Sequence, residues 1–190
     1  MAAKSNLKNM ALCLTAVCLV CSSILALVYV ATVDPIEQAQ KAKTNAAIAK
    51  VLPEFSADVV PGSVVLGDVE YSYFKAPGAG YAITSVVSGF SGPLSVMVGI
   101  TEAGIVHNTS TLSHSETPGL GAKCQTDAAF IDQFKSWDPA QKKLMVKKDG
   151  GDVDAITAST ITSRAYSLAI ANALEAYKEI VKNEGGQNNE

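Results

Sequence analysis

Basic stripes, paired cysteines outside the apolar segment and clustered aromatics are all missing from this 190-residue chain. Its 15 Lys and Arg against 18 Asp and Glu leave a net charge of −3, and the cations are scattered. Nothing tracks a phosphate backbone, which argues against nucleic acid as a partner. One Trp and a 6% aromatic content supply no stacking platform for single-stranded bases.

Cysteine is nearly as scarce. Cys13, Cys18 and Cys21 fall within one apolar run, which leaves Cys124 alone in the remainder. A lone thiol cannot build an intrachain disulfide framework. Three thiolates fall short of the four that an iron–sulfur cluster usually takes. All four are expected to be small apolar fillers, with Cys124 partly buried. The two histidines, His107 and His114, stand on different segments without a carboxylate at useful spacing, which argues against a metal site or a catalytic dyad. No G-x-S-x-G elbow supports Ser/His/Asp catalysis. Asn108-Thr109-Ser110 fits a glycosylation sequon by pattern alone.

What is present begins with a long apolar stretch. No residue from Asn9 to Val33 carries a charge. A helix over 10–33 would span about 36 Å at about 1.5 Å per residue, against a hydrocarbon core of about 30 Å. The stretch is too long for the h-region of a cleaved signal peptide. Val17 and Val20 precede Cys18 and Cys21, where a lipoprotein site needs a small residue. The expectation is an uncleaved transmembrane helix at 10–33. Lys4, Lys8 and the amino terminus flank one end, and Asp34 and Glu37 the other. The positive-inside rule then puts residues 1–9 in the cytoplasm and the main domain on the periplasmic, extracytoplasmic side of the cell inner membrane.

Asp34-Pro35 reads as a fresh helix start, giving a linker helix within 34–60 that ends near Pro53. A single domain follows at 61–184, with a flexible tail at 185–190. Strands are predicted over 64–76, 81–90, 93–101 and 104–112, separated by turns at 77–80 and at Glu102-Ala103-Gly104. Residues 115–122 read as a loop, 127–134 as a short helix with an acidic cap, and 142–148 as another strand. The last long helix starts near Thr160. Ile161, Ala165, Leu168, Ala171, Leu174, Tyr177 and Val181 form its expected apolar face, and it should fray at Gly185-Gly186. The fold class is α+β: one N-terminal transmembrane helix, then a bent antiparallel sheet with flanking helices.

The segment DVDAITASTITSR, 152–164, crowds hydroxyls at the start of that helix. Thr157, Ser159, Thr160, Thr162 and Ser163 are each able to cap it. A helix N-terminus offers free N–H groups and the positive end of a dipole, so the segment suits a phosphate. An ordinary Ser/Thr cap with nothing bound explains the composition equally.

Asp154-Ala155-Ile156-Thr157-Ala158-Ser159-Thr160 resembles the flavinylation motif of the FMN-binding domain shared by Rnf G and Nqr C subunits. That motif runs D, two variable positions, S or T, usually G, usually A, then T or S. The resemblance implies covalent FMN, joined through a phosphoester to Thr160 and installed by a flavin transferase. Ala158 stands where the family usually has Gly, which implies that no positive φ is required there. Ser159 places a second hydroxyl beside the first.

A second stretch, Glu116-Thr117-Pro118-Gly119-Leu120-Gly121 with Lys123 just beyond, resembles the E-T-P-G-L-G loop of the same family. Together with G-F-S-G-P-L and V-M-V-G-I-T-E-A-G, the likeness covers most of 60–180. It implies that this loop lies against the isoalloxazine ring. The backbone at Gly119 and Gly121 would approach the ring, Leu120 would pack on it, and Thr117 would bond its polar edge. Glu116 and Lys123 would orient the loop or bias the potential by charge. Asp154 would accept N–H bonds that shape the attachment turn, and it also bears on the transferase. Thr157 and Ser159 complete the implied cofactor-binding set.

At the level of function, the resemblance implies an electron carrier within a membrane-bound ferredoxin:NAD oxidoreductase coupled to Na⁺ or H⁺ translocation. Its partners are the other membrane subunits of the Rnf complex, and the isolated chain turns over no substrate. The C subunit of a Na⁺-translocating NADH:quinone oxidoreductase is the nearest alternative. A membrane sensor domain that binds FMN, or a flavin-free anchored binding module, belongs to other classes.

Overall fold

The structure, a computed structural model, describes residues 7–55 and 58–187. Lys4, the amino terminus and residues 188–190 of the tail lie outside the described residues. The chain divides into two units, residues 1–43 and 44–190.

The first unit is occupied by helix α1 (Leu7–Val51), which continues into the second. Its apolar stretch has a mean hydropathy of 2.6 and is wholly unburied, so it is long and apolar enough to cross a membrane. The hydroxyls within it are satisfied by the helix itself. Thr15, Ser23 and Thr32 donate to the carbonyls of Ala11, Leu19 and Val28 at 2.9, 2.7 and 2.8 Å. In lipid such a bond is needed, because no water replaces it. Asp34-Pro35 does not begin a second helix, since Pro35 lies inside α1. An interior proline costs a helix about 3 kcal/mol. Good helix formers follow it, Glu37 through Ala39, and the helix carries through.

In the second unit a five-stranded antiparallel sheet runs in the order β1 (Val60–Leu66), β2 (Val69–Ala76), β3 (Gly80–Ser88), β4 (Pro93–Ile100), β5 (Val106–His114). The run expected as one strand over 64–76 is broken at Gly67-Asp68. There Leu66 pairs with Val69, and Gly67 takes a φ of 62°. A two-residue Gly-Asp loop is a hairpin turn, and it pairs residues 60–66 with the strand that follows. Pro61 is tolerated because β1 lies at the sheet edge. Register shifts at Ser95/Val96 and Gly99/Ile100 mark the irregularities at which strands bend.

Alternation sends β3 and β4 side chains to two cores. Tyr81, Ile83, Val96, Val98 and Ile100 pack with the last helix, α4 (Thr160–Gln187). Ala82 and Met97 pack on the other face with Ala47, Ile48 and Val51 from the end of α1 and with Leu52 just beyond it. Gly99 is required by that second contact, because a Cβ there would lie 1.9 Å from the Val51 carbonyl oxygen. Asn108 Nδ2 donates to the Lys50 carbonyl at 2.9 Å and satisfies one of the orphan acceptors at the end of α1.

After β5 come two short helices, α2 (Lys123–Thr126) and α3 (Ala128–Asp132), the second capped by Asp127 as its acidic start suggests. The segment 142–148 is not a strand. Val146 makes one isolated bridge to Val153, and Lys147–Asp149 is a 3-10 turn closed by Gly150 at φ 82°. Asp152 Oδ2 accepts the Lys143 N–H at 2.7 Å, so the segment folds onto its own return rather than onto the sheet.

The buried face of α4 also differs from the expected one. Ala165, Leu174 and Tyr177 are buried, but Ile161, Leu168 and Val181 are exposed. The face that packs runs through Thr162, Tyr166, Ala169, Ile170, Ala173 and Ile180. Two of its serines are made tolerable by local bonds: Ser163 and Ser167 donate to carbonyls one turn earlier, at 3.0 and 3.1 Å. The helix continues through Gly185-Gly186 to Gln187.

Candidate functional site

Three chain segments meet at one end of the sheet: the β3–β4 turn, the 115–122 loop and the first turn of α4. Between them lies a cavity of about 380 Å³, within the range of small-molecule sites. Phe90 comes from the turn. Glu116, Thr117, Leu120 and Gly121 come from the loop. Ala158, Ser159, Thr160, Ile161 and Thr162 come from the helix start. A larger hollow of about 520 Å³ lies against Ala171, Leu174 and Lys178 of α4, and it is lined by none of the hydroxyls of 157–163.

Two motifs far apart in sequence thus share one wall, and a buried carboxylate joins them. Glu116 is 5% exposed. Its Oε1 accepts the Phe90 N–H at 2.7 Å, and its Oε2 accepts the Thr162 hydroxyl at 3.0 Å. Gly121 is needed beside it, since a Cβ there would meet Oε2 at 2.5 Å and Thr162 Oγ1 at 2.8 Å. The loop closes on itself through Thr117, whose carbonyl accepts from the Leu120 and Ala122 N–H groups, while Gly119 takes the turn at φ 78°.

The helix start is open. The Ser159 carbonyl accepts the first intrahelical bond, from the Ser163 N–H at 3.0 Å. Among the described residues no group accepts from the N–H of Thr160, Ile161 or Thr162. Ser159 therefore starts the helix without its side chain capping it, and three donors remain at the positive end of a long dipole. The five hydroxyls now separate. Thr162 is tied to Glu116. Ser163 donates to the Ser159 carbonyl and accepts the Ile156 N–H at 2.9 Å. Ser159 is 7% exposed. Thr157 is exposed but does not line the cavity. Thr160 is half-buried, lines the cavity and has no hydrogen-bond partner among the described residues.

Ala158 sits at φ 61°, in the left-handed region. The expectation that no positive φ is needed there is therefore overturned. An alanine Cβ in that conformation costs about 1–2 kcal/mol, which glycine avoids. Ala158→Gly is expected to stabilise the domain by about 1 kcal/mol, allowing for the greater freedom of glycine in the unfolded chain. Thermal unfolding of the two proteins under one condition checks it, and an unchanged or lower Tm would count against strain at this position.

Asp154 does not bond the turn before α4 through its carboxylate. Oδ2 pairs with Lys147 Nζ at 2.7 Å, both side chains being exposed, while its backbone is held by the Gln133 amide at 2.8 and 3.1 Å. Lys123 is exposed at the start of α2, and neither it, Gly119 nor Asp154 lines the cavity. Phe90 and Ile161 were missed as site residues in the sequence. Both are large, apolar and exposed, and with Leu120 they make the cavity's rim apolar. The available signal was an aromatic set in the Gly-flanked turn of G-F-S-G.

Cys124 is fully buried behind the loop, more so than expected. Burial, reinforced by the Glu116 charge, pushes its thiol up from 9.0 to about 11. The thiol should therefore stay neutral in the folded protein. Between pH 9 and 11 the unfolded chain ionises first, so this group withdraws stability as pH rises through that window. Cys124 is expected to resist alkylation at pH 8 in the native protein and to react once it is unfolded, which peptide mass spectrometry would report. Rapid native labelling would contradict this.

A family model described as FMN-binding domain matches residues 89–175, and one described as RnfG N-terminal region matches 1–51. The chain is 32% identical over 190 residues to the G subunit of the ion-translocating oxidoreductase complex of Shewanella amazonensis, covering 90% of this chain and 87% of that one. It is 30% identical over 194 residues to the corresponding protein of Shewanella piezotolerans, covering 93% and 91%. Among solved structures it is similar to the C subunit of the Na(+)-translocating NADH-quinone reductase from Parabacteroides distasonis, with 23% identity, a TM-score of 0.48, and coverage of 72% of this chain and 81% of that one.

Proposed function

The chain belongs to the G-subunit family of ion-translocating oxidoreductase complexes, and from that premise we propose that it carries FMN as an ester on Thr160 and relays electrons within such a complex. The observation that carries the attachment is the unpartnered Thr160 hydroxyl, facing a cavity beside three free helix N–H groups.

The residues present fit the cofactor. Donors at the positive end of α4 suit a phosphate. The exposed Phe90, Leu120 and Ile161 suit a flat apolar ring that would cover them. Bound FMN supplies one- and two-electron redox chemistry, which no ordinary side chain offers at modest potentials. The chain's own residues bind and orient. The N–H groups of Thr160, Ile161 and Thr162 would hold the phosphoryl oxygens. Leu120 would pack on the ring and Thr117 would bond its polar edge, while Gly119 gives the loop its turn. Thr160 would give up its hydroxyl proton as its oxygen takes the bond to phosphorus, while the phosphoanhydride bond of an activated flavin dinucleotide breaks and its nucleoside monophosphate leaves. A flavin transferase makes that bond, and the exposed Asp154 and Thr157 belong to the surface it would read.

The apolar helix associates the chain with the membrane. We assign residues 10–33 to the bilayer, 34–60 to a connecting segment and 61–184 to the FMN-binding domain. Lys8 at one end and Asp34 and Glu37 at the other favour a cytoplasmic N-terminus and a periplasmic domain in the cell inner membrane. Covalent attachment keeps the flavin from dilution there, and the anchor raises its effective concentration beside the other subunits. The complex would act as a ferredoxin:NAD translocase driving Na⁺ or H⁺, with no turnover by this chain alone.

The test is a denaturing gel of the full chain co-expressed with a flavin transferase. A fluorescent band at the mass of the chain is expected, and a dark band would end the covalent reading.

A further inference from the structure

Glu116 is a buried acid without a cation. Among the described residues no Lys, Arg or His nitrogen pairs with its carboxylate, the His114 ring accepting only its backbone N–H at 3.2 Å; both carboxylate oxygens accept neutral donors instead. Two accepted bonds, at 2.7 and 3.0 Å, are the pattern an ionised carboxylate satisfies. Such a group is nearly always paired with a charge when buried. The chain gives it room at some expense. Gly89 and Gly121 both lack a Cβ where one would strike the carboxylate, at 2.1 Å from Oε1 and 2.5 Å from Oε2. The two bonds link the loop to a turn 26 residues away and to a helix 46 residues away. They tie together all three segments that wall the cavity.

We infer that Glu116 is a positioning residue which fixes the cavity walls and, through its uncompensated charge, holds the bound flavin at a lower reduction potential. The inference rests on FMN occupying this cavity. Reduction adds negative charge to a flavin, and a neighbouring carboxylate in a poorly solvated wall opposes that addition. The same two donors that hold the carboxylate also temper its charge, so removing one should strengthen the opposition.

This gives a sign test. Glu116→Gln keeps the shape of the side chain and can bond both partners, but it removes the charge. Thr162→Val keeps the charge and removes one donor. In the full chain co-expressed with a flavin transferase, spectroelectrochemical titration should show a more positive midpoint for Glu116→Gln and a more negative one for Thr162→Val. Glu175→Gln is the control: an exposed acid thirteen residues beyond Thr162, about 20 Å away along α4 at about 1.5 Å per residue. It should leave the midpoint where it is. A purely structural Glu116 would move the yield of flavinylated protein but not displace the two midpoints in opposite directions. Should Glu116→Gln fail to load flavin, Thr162→Val decides, and an unchanged or more positive midpoint there overturns the inference. A wild-type band without fluorescence would instead overturn the FMN reading itself, and the two failures are told apart on one gel.

Discussion

Thr160→Ala is expected to reduce in-gel flavin fluorescence to background while leaving the fold intact. The lost group is one half-buried hydroxyl without a hydrogen-bond partner, so its removal orphans nothing. Alanine is also a better helix former than threonine at the first position of α4. Stability should therefore hold or rise slightly while the cofactor is lost, a combination that general unfolding would not produce. Thr160→Ser should retain the band, since it keeps the oxygen. If fluorescence persisted in the alanine variant, the ester would have to lie on Ser159 or Thr162. The geometry speaks against both, as one is buried and the other is bonded to Glu116.

The largest effect on stability is expected at Tyr166. It is fully buried, two turns into α4, with ring centroids 5.2 Å from both Phe130 and Phe134. Its hydroxyl donates to Thr109 Oγ1 at 3.0 Å, and burial pushes its ionisation up to about 12, so it stays neutral. Tyr166→Ala removes the ring, leaves a cavity and strands a buried hydroxyl. Large-to-small changes of this kind cost about 3–5 kcal/mol. At about 2–4 °C per kcal/mol for a domain of this size, Tm should fall by roughly 10 °C. Tyr166→Phe should cost about 1 kcal/mol, for the hydrogen bond alone. A Tyr166→Ala protein melting with the wild type would mean that α4 is not held to the sheet by this cluster.

The parts of this molecule legible in the sequence are those set by neighbouring residues. The apolar run, the Pro77–Gly80 and Gly104 turns and the Asp127 cap are local, and the structure has them. The two motifs were readable by resemblance, and it is the fold that brings them to one cavity. Their convergence was not readable, because contacts such as Glu116–Thr162 depend on sheet order and helix docking rather than on spacing. The helix face was misjudged for a related reason. Ser163 and Ser167 read as polar, yet each hides its hydroxyl in a bond to the turn before, so a polar stripe became the buried one. The φ of Ala158 was illegible because alanine does not announce a left-handed backbone; only the glycine it replaces would have done so. Residues 142–148 read as a strand, but the Asp152–Lys143 bond closes the segment on itself.

Cleavage after Lys148 and Arg164 releases one peptide, residues 149–164, that holds the whole hydroxyl cluster. Its mass, from cells that also express a flavin transferase, tests the assignment most directly. The peptide should be heavier by FMN less one water, with fragment ions placing the addition on Thr160. A peptide of unmodified mass, or an addition carried by Ser159 or Thr157, would contradict it.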